Sequence, residues 1–300
     1  KKNLWIIVLI MMNLFSYSQE SKPHHEFIEL KLYADTLKKV GHSILYGETD
    51  SIRISSNQRF IDVFEKALNS DNSFLFPFDS VTNVSILNAP DNSFRIMTWN
   101  LPAVDGSHYN YYGYIQTYNK RKNTSKLIPL HDCSDTISNP QTRKLNPDSW
   151  YGQVYYKMIP CKKGGRKYYT LLGIHWIDKL KTQKIIDNIS ISGDKIVFGN
   201  PFIKVKKFFN RMLFTYSAQV VMALRYDAIK NSITYDHLQP SDPNLDGQYE
   251  FYGPDGSYDE LIFKSGFWIL KNDVDARNPK DNTSTDPKTP TEGNNGKKKD

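Results

Sequence analysis

The sequence predicts an α+β protein: an N-terminal helical hairpin packed on an extensive antiparallel β-sheet of hairpins and meanders. Three observations carry this. Apolar residues recur with a period near 3.6 up to about residue 70. From Val81 onward they alternate with a period of 2. The alternating runs are separated by short Gly, Pro, Asn and Asp clusters, the punctuation of tight turns.

The chain opens with Lys1-Lys2, the apolar run Leu4–Phe15 and then Ser16-Tyr17-Ser18-Gln19. A basic start, a short apolar stretch and small residues before a cleavage point describe a secretory signal peptide over residues 1–19. The apolar run is shorter than the roughly 20 residues a membrane span requires. No second apolar stretch approaches that length, so the expected mature chain has no transmembrane segment and is exported to the periplasm, envelope or medium.

Phe27, Leu30, Leu37, Val40 and Ile44 line one face of a first helix over Ser21–Leu45. Polar residues 46–56 read as a loop, and Asn57 as the cap of a second helix running to Leu68, with Phe60, Val63, Phe64 and Ala67 as its stripe. Residues 20–70 thus form a helical hairpin. Residues 71–277 form the β-rich part, packed with the helices as one unit.

Within it, Val84 and Ile86, a turn at Ala89–Ser93, and Phe94, Ile96 and Thr98 make a hairpin. A long loop over Asn100–Asn110 leads to Tyr111–Tyr118, and Leu127–Leu130 makes a short strand. Trp150–Ile159 and Tyr168–Ile177 pair around Cys161-Lys-Lys-Gly-Gly-Arg-Lys167, a cationic tip that reads as a solvated loop or as a contact for anions or polysaccharide. Lys184–Ile191 and Lys195–Phe198 pair next, and Met212–Tyr226 and Ser232–Tyr235 extend the pattern. The end of the β region reads as a meander. Its first strand contains Tyr249 and Phe251, Gly253-Pro254-Asp255-Gly256 is a turn, and Tyr258–Lys264 and Phe267–Leu270 complete it. Residues 278–300 are Asn, Asp, Thr, Pro, Lys and Gly without apolar spacing, the composition of a disordered tail.

The formal charge is +7, and +5 without Lys1 and Lys2. This is too weak and too dispersed along the sequence to indicate nucleic acid. Two cysteines, Cys133 and Cys161, are compatible with one disulfide in an oxidising compartment or with two buried thiols.

Asp242-x-Asn244-x-Asp246-Gly247 places oxygen ligands at alternate positions before a flexible Gly, and Glu250 follows at the ninth position. That suits a structural calcium ion. The twelfth position is Gly253 rather than a bidentate Glu, so an Asx-rich turn is the competing reading. No other cofactor is expected. His131-Asp132 at a strand end, Asp105 with His108 in the long loop, and His175 with Asp178 are the candidate acid/base neighbours for hydrolysis, with a satisfied core histidine as the competing reading of His175. Tyr109, Tyr111, Tyr112, Trp150 and Tyr151 form an aromatic cluster, a ligand-binding face or a set of core and cross-strand pairs. No nucleophile elbow, zinc-protease, phosphate-loop or dinucleotide pattern occurs.

The stretches Ser85–Asn100, Tyr235–Pro243, Tyr252–Asp255 and Asp273–Asn278 are similar to a group of exported proteins of Bacteroidetes-type bacteria. The resemblance spans most of the mature chain. It implies export and a single integrated unit, and it supplies no catalytic residue. The expected function is a non-catalytic binding or structural module of the periplasm or envelope, with a glycan, peptide or protein partner. An exported hydrolase is the alternative.

Overall fold

The computed structural model describes residues 27–271. The expected signal peptide at 1–19 and the polar tail at 278–300 lie outside the described residues. The predicted class holds: two helices precede extensive antiparallel sheets.

Helix α1 (Ile28–Tyr46) buries Leu30, Ala34, Leu37 and Ile44 along one stripe. Helix α2 (Asp50–Asn69) begins eight residues earlier than the sequence suggests. Its true cap is Thr49, whose side chain accepts a hydrogen bond from the Ile52 N–H at 3.3 Å. The first two turns of α2 are mostly exposed, so their polar sequence imitates a loop. Asn57 lies inside the helix, buried, where its Oδ1 accepts from Trp99 Nε1 at 2.9 Å.

The first sheet is a meander of β1 (Ser85–Asn88), β2 (Phe94–Pro102), β3 (Tyr109–Asn119) and β4 (Thr124–His131), paired in chain order. Strands β2 and β3 pair as far as Pro102 with Tyr109, so the supposed long loop shrinks to residues 103–108. The chain then enters a middle sheet through β5 (Val154–Lys163), β6 (Arg166–Trp176), β7 (Lys181–Ser192) and β8 (Lys195–Phe198). Short β9 (Ile203–Lys204) and β10 (Phe208–Phe209) cross to an outer sheet, and β11 (Met212–Ser217) returns to the edge of β7. Strands β12 (Leu224–Asp227), β13 (Ser232–Pro240), β14 (Tyr252–Lys264) and β15 (Phe267–Lys271) complete the outer sheet, in the order β10-β9-β15-β14-β13-β12.

The closing meander is therefore β13-β14-β15, not the expected set. Tyr249–Phe251 forms a single 3-10 turn. Gly253–Gly256 lies within β14, where that strand carries two more residues than β13 between the Leu238–Pro254 and Asp236–Tyr258 pairs. The turn residues serve a bulge, which needs the same conformational freedom as a turn.

Side-chain alternation stacks these elements as helices, first sheet, middle sheet and outer sheet. On β2, Met97, Trp99 and Leu101 face the helices with Phe60, Phe64 and Leu37, while Phe94 and Ile96 face Tyr155, Tyr169 and Leu171 of the middle sheet. The other face of the middle sheet, with Tyr168, Leu172 and Ile186, packs on Leu224, Ile233, Leu261 and Trp268 of the outer sheet. A sheet buried on both faces reads as a nearly continuous apolar run, and Tyr168–Gly173 of β6 has that character.

Two buried arginines tie irregular segments to these layers. Arg95 lies between the Phe74 and Phe78 rings and donates to the carbonyls of Ser73 and Phe76, each at 2.8 Å. Arg211 is fully buried and pairs with Asp187 at 3.1 Å. It also donates to the carbonyls of Pro140 (2.5 Å) and Arg143 (3.2 Å). It thereby anchors the polar loop of residues 134–149, which walls the site described next.

Candidate functional site

The start of β3 and the end of β4 meet that loop at one end of the first sheet. Between them lies a cleft of about 430 Å³ lined by Tyr109–Tyr112 and Leu130–Thr136. The structure thus brings together five of the residues singled out from the sequence: Tyr109, Tyr111, Tyr112, His131 and Asp132.

The side chains of His131 and Asp132 are not paired with each other. Successive residues on a strand point to opposite faces. His131 is exposed, with its Nδ1 3.5 Å from Asp148 Oδ1. Asp132 turns inward and bridges to Trp150. Its Oδ1 accepts from the Ser134 N–H at 2.9 Å, the Ser134 hydroxyl at 2.6 Å and the Gly152 N–H at 3.0 Å. Three donors on one carboxylate oxygen make it a structural acceptor that shapes the loop. Gly152 permits this approach, since a Cβ there would meet the Asp132 carboxylate at 2.5 Å.

The same Gly152 peptide links Asp132 to His175 beneath the cleft. His175 Nδ1–H donates to the Gly152 carbonyl at 2.5 Å, and its ring lies between Tyr111 (4.6 Å between centroids) and Tyr151 (5.4 Å). Burial lowers the His175 pKa from its ordinary value, so the ring is neutral near pH 7. Its surroundings are those of a satisfied core histidine.

The tyrosines divide by depth. Tyr111 is 3% exposed and donates to the Trp176 carbonyl at 2.8 Å. Trp150, 0% exposed, donates through Nε1 to Tyr155. Tyr151 donates to Gln183, and burial pushes its phenol up to about 12. Trp150 and Tyr151 are core between two sheets and present no face to a ligand. Tyr112, half-buried against Trp99 on the helix-facing side of β3, and Tyr109, half-buried against Trp176 on its other side, are the partly exposed aromatic residues that border the cleft. Asn110 and Asp135 were not legible as site residues, because their role comes from strand ends meeting a loop distant in sequence.

The other candidates lie elsewhere. Asp105 accepts from the Ser107 N–H at 2.9 Å, and Ser107 contacts His108 at 3.1 Å, so these residues form an exposed turn between β2 and β3 outside the cleft. In the Asp242–Gly247 segment, Asp242 caps its own turn by accepting from the Asn244 N–H at 2.8 Å. Asp246 accepts from the Tyr252 hydroxyl, and Glu250 sits in the 3-10 turn. This is the Asx-turn geometry. Among the described residues no group of three or more His, Cys, Asp or Glu side chains is placed to hold a metal ion. Cys133 and Cys161 are both free thiols: Cys133 lines the cleft, while Cys161 faces the outer sheet. The compatible disulfide is therefore not formed, because the two residues belong to different layers.

The cleft combines phenol, amide, hydroxyl and carboxylate groups, with Asp132 and Asp135 as its carboxylates and no Lys or Arg in its lining. Such a set can accept and donate hydrogen bonds to an uncharged polar ligand and disfavours an anion. No family model matches the chain, and comparison with curated proteins and with solved structures gives no match. No helix of the described residues is long and apolar enough to cross a membrane.

Proposed function

We propose that this protein is an exported, non-catalytic binding module of the bacterial periplasm or envelope, and that it holds a hydroxyl-rich, uncharged glycan segment in the cleft of Tyr109–Tyr112 and His131–Thr136. The observation that carries this reading is the state of Asp132. A carboxylate whose Oδ1 already accepts three hydrogen bonds organises a wall of the cleft and is poorly placed to activate water. The residues around it form a partly aromatic, hydrogen-bonding trough, the composition suited to sugar rings and their hydroxyls.

Calorimetric titration of the protein with neutral oligosaccharides tests this, run beside turnover assays on chromogenic glycosides and esters. The expected result is saturable binding without turnover, weakened about tenfold by Asn110→Ala or Asp135→Ala, the cost of roughly one good hydrogen bond. Turnover that His131→Ala abolishes would establish the hydrolase instead.

A further inference from the structure

We propose a second binding surface at the opposite end of the first and middle sheets, which takes a linear anionic polysaccharide. Strand β3 runs from Tyr109, at the cleft, to Asn119, about 34 Å away at roughly 3.4 Å per residue. At that far end the β3–β4 turn, the β5–β6 turn and the β7–β8 turn converge. Two open depressions of about 600 and 910 Å³ flank Lys167 there.

Their lining holds six cations: Lys120, Arg121, Lys126, Lys163, Arg166 and Lys167. Only two carboxylates share it. Asp91 is held by Lys167 at 2.8 Å, and Asp194 by Lys126 at 2.9 Å. Lys120, Arg121 and Arg166 have no carboxylate partner among the described residues, and Lys163 rests over the Phe267 ring at 3.9 Å. The charge that looks dispersed in the sequence is gathered at one end by two turns, β3–β4 and β5–β6, while the β7–β8 turn supplies Asp194. The β5–β6 turn is built to present it: Gly164 and Gly165 both take positive φ (53° and 76°), the geometry of a two-residue hairpin, and nothing lies within 4 Å of where their Cβ atoms would be.

The surroundings favour an anionic sugar polymer over other polyanions. Ser190, Ser192 and Asn200 lie beside Lys163 and Arg166, and Thr117, Thr124 and Ser125 lie beside Arg121 and Lys126. Alternating cations and hydroxyl or amide groups suit a chain that carries both carboxylates and hydroxyls. Nucleic-acid bases need free aromatic faces, but Tyr118 is stacked on Phe74 at 4.5 Å, Tyr169 packs edge-on to Phe94, and Phe202 lies against Tyr168 at 4.0 Å with Lys163 over its ring. A bilayer favours protruding apolar groups, and none of the exposed large apolar side chains lines either depression.

The test titrates the protein with alginate, a polyuronate, and compares dextran, a single-stranded oligothymidylate and vesicles containing phosphatidylglycerol. Alginate should bind tightest, with affinity falling as salt rises. The double variant Arg121→Glu/Arg166→Glu, in exposed turns, should weaken it about 30-fold, as two surface attractions become repulsions. The milder Lys120→Gln/Arg121→Gln pair should weaken it less, at an unchanged melting temperature. Asn110→Ala, at the distant cleft, should leave it unaltered, which separates this surface from the proposed glycan cleft. Alginate binding no stronger than dextran, indifference to charge reversal, or tighter binding of oligothymidylate or vesicles would each overturn the proposal.

Discussion

Replacing Arg211 by Met removes one guanidinium and leaves the Asp187 carboxylate at 0% exposure without its cation. The Pro140 and Arg143 carbonyls lose their donor at the same time. Removing one member of a buried pair costs about 3–5 kcal/mol, because the surviving charge stays in a medium that solvates it poorly. That is a large share of a typical folding stability of about 5–15 kcal/mol. The loss should depend on pH. Burial raises the Asp187 pKa, and Arg211 is the chief influence opposing that rise, so the variant raises it further. A carboxyl whose folded pKa lies above its unfolded value, about 3.9, adds no penalty below that value and destabilises progressively as pH rises through the folded pKa. Urea unfolding at pH 4.5 and pH 8 should therefore show the larger deficit at pH 8. Asp187→Leu combined with Arg211→Met should recover most of the loss, since no unpaired charge remains. Because Arg211 anchors the 134–149 loop, the single variant should also be cut faster by protease in that loop. A deficit below about 1 kcal/mol, or one independent of pH, would refute the reasoning.

Three further outcomes follow from particular contacts. Gly152→Ala would place a Cβ against the Asp132 carboxylate and break a hydrogen bond to a charged acceptor, costing about 1.5–3 kcal/mol in denaturant unfolding. His175, whose pKa is lowered by burial, contributes stability present above the unfolded value near 6.5 and lost as pH falls through the folded value. Unfolding curves between pH 7.5 and pH 5 should show that loss in the native sequence and a flatter dependence in His175→Phe. Thr49→Ala removes the α2 cap and should lower stability by about 1 kcal/mol, read as a lower melting temperature.

The architecture was legible wherever one face of an element is buried. Phe60 and Phe64 marked α2, and the Phe94–Thr98 alternation marked β2. Legibility failed where polar residues do structural work. The first turns of α2 looked like a loop because they face solvent, and Asn57 looked like a cap because its role, accepting from Trp99, depends on a sheet forty-two residues away. Gly253–Gly256 carried turn chemistry but used it inside a strand. The site was half visible. Tyr112 and His131 do line the cleft, but Trp150 and Tyr151, aromatic residues of the same cluster, became core because the middle sheet is covered on both faces. Local pattern records that a residue is aromatic and lies on a strand. It does not record how many layers cover that strand.

The most direct measurement of the central claim is a residue-resolved NMR titration of the protein with a neutral oligosaccharide. Chemical-shift changes should concentrate at Tyr109, Asn110, Tyr112 and residues 131–136, and they should be absent at Lys120, Arg121 and Arg166. Saturable shifts confined to the basic end, or no saturable shifts at the cleft with any neutral glycan tested, would contradict the account.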